Sequence, residues 1–166
     1  MPIFEPVIEA LERAGVRNVV VGGLAVVLHG HARLTADVDL AVDLSPEQAA
    51  RAAQTLAGLG LRPRAPVDLA DFADAESRAR WKSEIGMEVL SLWDPSEPMR
   101  AVDVFVENPI DFDELWDRSL VVSLERTRVR IASIPHLNRM KEAVGRPSDL
   151  EDIAALKEIQ RRTDHG

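Results

Sequence analysis

The residues whose types and spacing carry chemistry in this sequence are Asp37-Val38-Asp39 and Asp103. Residues 36 to 42 alternate strictly, with Val38, Leu40 and Val42 on one face and Asp37, Asp39 and Ala41 on the other. A strand has a period of two, so both carboxylates project from the same face about 7 Å apart while Val38 anchors the strand in a core. Two carboxylates so placed can bridge or flank hard cations about 3.5–4 Å apart, the arrangement used in phosphoryl and nucleotidyl transfer.

Asp103 repeats the pattern in AVDVFVE, where Val102, Val104 and Val106 share one face and Asp103 lies on the other beside Phe105. An acid among apolar neighbours is costly without a cation or a hydrogen-bonding partner. If its strand lies beside that of Asp37, three acids converge and repel one another strongly unless metal is bound. Gly22-Gly23 ends the β-branched run NVVV. Glycines between a strand and a helix leave backbone N–H groups open to phosphate oxygens at the helix N-terminus. Arg33 and Thr35, just before the acidic strand, suit either a phosphate contact or a brace for their loop.

The elements that must position these residues follow from periodicity and punctuation. Residues 3–14 have helical spacing and stop at Gly15; residues 18–21 are a buried strand; LAVVLHG is a helix of about two turns stopped by Gly30. Ser45 is the expected N-cap, with Pro46 opening a helix that runs to about Leu59. A short helix is expected near Leu69 to Ala79, then strands over 87–93 and 100–106 about the turn Asp94-Pro95-Ser96, and a strand pair within 120–134. Helices over 135–144 and 149–162, divided by Gly145-Arg146-Pro147, close the chain. This mixture predicts an α/β class, a mixed β-sheet with flanking helices and a C-terminal helical pair, in one domain spanning residues 1–166.

GGLAVVLHGHARLTADVDL followed by AVDVFVE resembles the nucleotidyltransferases of the DNA polymerase β type. The pattern is a glycine pair, a helix, an acid-x-acid strand and a third acid on a later strand. With MKEAVGRPSDLEDIAAL near the C-terminus, it is similar to the small bacterial AbiE-type toxin nucleotidyltransferases. The likeness runs from about residue 16 to 157. It implies the nucleotidyltransferase fold, with Asp37 and Asp39 holding Mg2+ or Mn2+ and Asp103 completing the site and activating the acceptor hydroxyl. It further implies that Gly22 and Gly23 approach the triphosphate of a bound NTP and that Lys141 is a triphosphate ligand; the bland alternative for Lys141 is a helix-surface lysine. The sequence departs from the pattern at Gly23, where many members carry serine.

The implied activity is transfer of an NMP from an NTP to an acceptor hydroxyl with release of pyrophosphate. The acceptor is a transfer-RNA end, a partner protein or a small molecule, and the setting a toxin–antitoxin or phage-defence system with a cognate partner protein. One rival is a non-catalytic nucleotide-binding component of such a pair; another, a two-metal phosphohydrolase, would not need the glycine turn.

Other residues read as scaffold. Asp149 suits the N-cap of the last helix, and Asp152 suits its dipole. His29 and His31 serve to orient the loop after the glycine helix rather than to bind zinc. Trp81, Trp93 and Trp116 suit packing. The arginines of LRPRAP, RARWK and RTRVR read as solvated charges.

Composition narrows the classes. Of the 166 residues, 46% are hydrophobic and 29% charged, as in a soluble globular chain. With 28 acidic against 20 basic residues, the net charge of −8 disfavours general nucleic-acid binding. No apolar run approaches the roughly 20 residues of a membrane span. The first residues lack a secretory pattern and cysteine is absent, so a cytoplasmic location is expected.

Overall fold

The computed structural model describes residues 3–166. Helix α1 (Glu5–Arg13) leads into β1 (Asn18–Val21), α2 (Gly22–Leu28) and β2 (Asp37–Val42). Helix α3 (Pro46–Gly58), β3 (Arg62–Pro63) and a 3-10 turn (Leu69–Ala73) precede α4 (Ala75–Ile85). Strands β4 (Val89–Asp94) and β5 (Glu97–Phe105) form a hairpin. The chain ends with α5 (Phe112–Arg118), β6 (Leu120–Ser123), β7 (Arg128–Ile131), α6 (Ile134–Val144) and α7 (Pro147–His165).

The strands make one mixed seven-stranded sheet in the order β3-β4-β5-β2-β1-β7-β6. Strand β2 lies at its centre, antiparallel to β1 and parallel to β5. The alternation that marks β2 and β5 in sequence is the division between core and site. Val38, Leu40, Val42 and Val102 are fully buried, and α3 packs on β2. Asp37, Asp39 and Asp103 occupy the opposite parity and remain half-buried.

Several elements depart from expectation for local reasons. The single helix expected near 69–79 is two elements, because Asp74 caps a new helix by accepting from the Ser77 backbone N–H at 3.2 Å. That helix runs on to the left-handed Gly86. Helix α5 and strand β3 escape the sequence reading, being short. Ser45 holds the N-cap position of α3 without a side-chain cap bond, and its backbone N–H instead donates to Asp43 Oδ1 at 2.9 Å. The last helix begins at Pro147, so Arg146 is its N-cap and Asp149 its third residue. Proline favours that first helical position, which moves the start two residues ahead of the one expected.

The arginine-rich segments are not simply solvated. Arg78 is 7% exposed and donates to the carbonyls of Phe72 and Leu44. Arg64 lies over the Trp93 ring, while Arg17 and Arg130 both lie over that of Trp116. Trp81 packs in the core as expected.

Candidate active site

Sheet register brings the acids together. In the parallel pairing of β2 with β5, Asp39 stands opposite Asp103 and Asp37 opposite Ala101. On the other side of β2, Asp39 pairs with Val21, the last residue of β1. The chain therefore turns into α2 directly over Asp39. A side chain at Gly22 is doubly excluded: its φ is +66°, and a Cβ there would lie 2.0 Å from Asp39 Oδ2. The glycine pair is not a turn ahead of the helix but its first two residues.

Burial raises the proton affinity of Asp39 most, and the neighbouring charges of Asp103 and Asp37 add to it, so its pKa is pushed up to about 7. Lys141 opposes this from a distance. Asp103 is likewise raised, first by burial and then by Asp37, against hydrogen bonding from Ser91 and Asp39 and the charge of Arg64. The two carboxylates stand opposite each other across the β2–β5 pairing, so ionisation of either opposes that of the other.

Among the described residues, no three carboxylate or imidazole side chains converge into a complete metal cage. The donor set nonetheless fits a hard divalent ion that takes its remaining ligands elsewhere. Magnesium is commonly held by one or two carboxylates together with substrate phosphates and water. Asp39 and Asp103 supply such a pair on neighbouring strands, with the charge of Asp37 beside them.

Beside the acids lies a cleft of about 560 Å³ lined by Gly22, Gly23, Arg33, Thr35, Asp37, Asp39, Lys141 and Arg146. It thus gathers all the sequence-selected residues except Asp103, which lies behind Asp39 on β5. Thr35 donates to the Asp37 carbonyl at 3.2 Å, and its Oγ1 would lie 2.9 Å from a Cβ at Gly23. Thr35 thus fills the space that a side chain at Gly23 would occupy and places its hydroxyl there.

Lys141 is not a surface lysine: it is 7% exposed, donates to Asp152 Oδ2 at 2.9 Å and lies 3.5 Å from Asp149 Oδ1. Arg33 also donates to Asp152, across 119 residues of chain. Arg146 donates to Asp149 from Nε at 2.9 Å and from its backbone N–H at 3.2 Å. Asp149 and Asp152 therefore do more than cap α7. They tie α6, α7 and the loop before β2 into one wall of the cleft. Sequence reasoning missed Arg146, Asp149 and Asp152 as site residues. The available signal was two acids three apart on one helix face, following a lysine and an arginine. His29 holds its loop by hydrogen bonding to the Ala132 carbonyl at 2.8 Å, in keeping with the orienting role expected. His31 sits 3.9 Å from Asp152.

No protein-family model matches the sequence. No curated protein matches it either. Solved structures do share its fold, nucleotidyltransferases among them. The lincosamide antibiotic adenylyltransferase LnuA, bound to lincomycin, superposes with a TM-score of 0.65 at 17% identity, covering 96% of this chain and 97% of its own. ANT(2'')-Ia in complex with adenylyl-2''-tobramycin gives 0.59 at 13% identity, with 99% and 98% covered. A Thermotoga maritima protein assigned to the nucleotidyltransferases gives 0.59 at 15% identity, with 97% and 92% covered. The chain has the nucleotidyltransferase fold over nearly its whole length. No helix among the described residues is long and apolar enough to cross a membrane.

Proposed function

We propose that this chain is a nucleotidyltransferase that moves an NMP from an NTP to an acceptor hydroxyl and releases pyrophosphate. The observation that carries the reading is the crowding of Asp37, Asp39 and Asp103 against the glycine-led start of α2, beside a cleft edged by Lys141, Arg33 and Arg146. Uncompensated carboxylates next to a cationic cleft suit a metal-bound polyphosphate better than any neutral ligand. Solved structures of the same fold include an adenylyltransferase and a complex containing an adenylylated antibiotic. The sequence likeness to the AbiE-type group is the ground for a toxin–antitoxin or phage-defence setting.

Asp39 and Asp103, with Asp37 beside them, would hold magnesium or manganese. When bound, the metal would polarise the α-phosphate and lower the pKa of the acceptor hydroxyl. Lys141, Arg33 and Arg146 bind the β- and γ-phosphates as pre-oriented charges, and Thr35 adds a hydroxyl. Gly22 and Gly23, lacking side chains, let the chain of phosphates approach the backbone. Asp103 takes the acceptor's proton as its oxygen attacks the α-phosphorus, the bond to the β-phosphate oxygen breaks, and pyrophosphate leaves.

The test is incubation with magnesium and α-labelled triphosphates in the presence of cell extract. The expected result is label covalently joined to an acceptor together with pyrophosphate release, both absent in Asp39→Ala. Nucleotide binding with neither product would make the chain a binding component instead; release of inorganic phosphate without transfer would make it a phosphohydrolase.

A further inference from the structure

A second cavity, of about 160 Å³, adjoins the polar cleft and shares Gly22, Asp39, Lys141, Arg146 and Asp149 with it. Its remaining wall is almost wholly apolar: Val21, Phe105, Leu137, Met140 and Val144. We propose that this cavity is the acceptor subsite and that it selects an uncharged hydroxylic acceptor with an apolar body about the size of a six-membered ring. The assignment rests on the transferase reading above.

Three features point this way. The cavities meet at Asp39, so a group in each reaches the same carboxylate from a different side, as transfer between two substrates requires. Phe105 follows Asp103 by two residues on β5 and shares its face. An apolar body against Phe105 therefore brings its hydroxyl to Asp39, with Asp103 behind it on the neighbouring strand. Finally, the cavity's cations are already matched, since Lys141 and Arg146 are paired with Asp152 and Asp149. A polycationic acceptor finds no spare carboxylate other than Asp39, and a nucleic-acid end finds no cation beyond those two.

The size is compatible with such a body. An apolar cavity of about 150 Å³ accepts a benzene ring. The nucleobase has another place to lie. Leu34 and Met99, 95% and 69% exposed, form an open apolar rim on the polar cleft, where a base can rest without being enclosed.

The probes are cyclohexylmethanol and its protonated isostere piperidin-4-ylmethanol, titrated into methyl-labelled protein with magnesium and ATP and followed by NMR. Saturable shifts are expected at Leu137, Met140 and Val144 with the neutral probe, at least tenfold weaker with the cation. Val144→Trp, at a position 62% exposed and so tolerant of bulk, should weaken the neutral probe tenfold or more while ATP affinity changes less than twofold. Met140→Phe, filling the same space from one turn back along α6, gives an independent second variant. Equal binding of the two probes, or binding indifferent to both variants, overturns the proposal. A loss of ATP affinity in Val144→Trp overturns it in favour of a nucleobase pocket. Pyrophosphate release is measured on the same samples with an extract-derived acceptor. If the wild type binds the neutral probe as expected yet releases none, the transferase reading has failed, and the acceptor role fails with it, while the cavity's selectivity stands.

Discussion

Two pairs of aspartates, each with one member lining the cleft, stand under opposite electrostatic conditions. Asp149 and Asp152, on the first turns of α7, are each 3% exposed and each paired with cations: Arg146 and Lys141 for the first, Lys141 and Arg33 for the second. Asp39 and Asp103, on neighbouring strands, have mainly each other and the added negative charge of Asp37. Both pairs draw on one supply of positive charge. Lys141 reaches Asp39 only through space, because its hydrogen bond is made to Asp152. The helical acids thus aim the cations at the cleft while leaving the strand acids uncompensated. One pair builds the wall; the other is kept short of positive charge, a state that would favour a bound cation.

The sharpest way to break this contrast is to remove the charge that has no partner. Asp39→Asn should reduce divalent-dependent transfer to background and yet stabilise the metal-free protein above pH 7, since it removes repulsion rather than an attraction. Transfer assays and thermal unfolding in EDTA read the two halves separately. Transfer at the wild-type rate would dismiss Asp39 as a ligand.

The paired acids should behave in the reverse manner. Asp152→Ala leaves Lys141 buried beside only the more distant Asp149 and frees Arg33, so it should destabilise the fold by about 3–5 kcal/mol, the cost of stranding a buried charge. Asp152→Asn, which keeps an acceptor oxygen, should cost less. Denaturant unfolding checks both; a loss within about 0.5 kcal/mol would mean that the network contributes little to the wall.

The strand pair also makes a pH prediction whose sign is opposite to that of a salt-bridged carboxylate. The pKa of Asp39 is raised in the folded state, so between its ordinary 3.8 and about 7 the folded protein binds more protons than the unfolded chain. Stability of the metal-free protein should therefore fall as pH rises through that window and level off above it, by at most about 4 kcal/mol and shared with Asp103 as a coupled pair. Unfolding midpoints at successive pH values, with Asp39→Asn as the flatter reference, measure it. A stability that rises from pH 4 to 7 relative to that variant would contradict the repulsion.

The strand pair was legible in the sequence because strand parity and a run of valines leave little freedom: Asp37 and Asp39 had to share a face, and only the register with Asp103 was missing. That register depends on which strands become neighbours, a long-range choice that no local pattern encodes. The helical pair was misread for a related reason. Asp149 and Asp152 satisfy ordinary rules for a helix start, and those rules account for them without any partner. Their cations come from 11 residues away for Lys141 and 119 for Arg33, a convergence that belongs to the packing of α6 and α7 against the loop before β2. Helix α5 and strand β3, at seven and two residues, are too short to carry a period.

The smallest expected effect separates scaffold from binding within the paired region. Arg146 touches the same Asp149 as Lys141 does, but its side chain is 70% exposed, and its Nε–Oδ2 contact is a pair three residues apart at a helix start. An ion pair that open to water contributes within about 1 kcal/mol, and Asp149 keeps both its bond from the backbone N–H of residue 146 and the nearby Lys141 when the guanidinium is removed. Arg146→Ala should therefore leave the unfolding midpoint almost unchanged. The guanidinium nevertheless lines both cavities, where it can meet a phosphate. Phosphate charge is present before and during the reaction, so the contact should act on ground state and transition state alike, raising KM for the triphosphate several-fold with kcat little changed. Arg146→Lys should recover part of that loss, since it restores the charge without the fork. The buried Lys141 cannot be separated in this way, because Lys141→Ala would disturb the wall and the phosphate contact together. If Arg146→Ala lowers stability by several kcal/mol and leaves KM alone, Arg146 belongs to the scaffold with Asp149, and the cleft's working charge rests on Lys141 and Arg33.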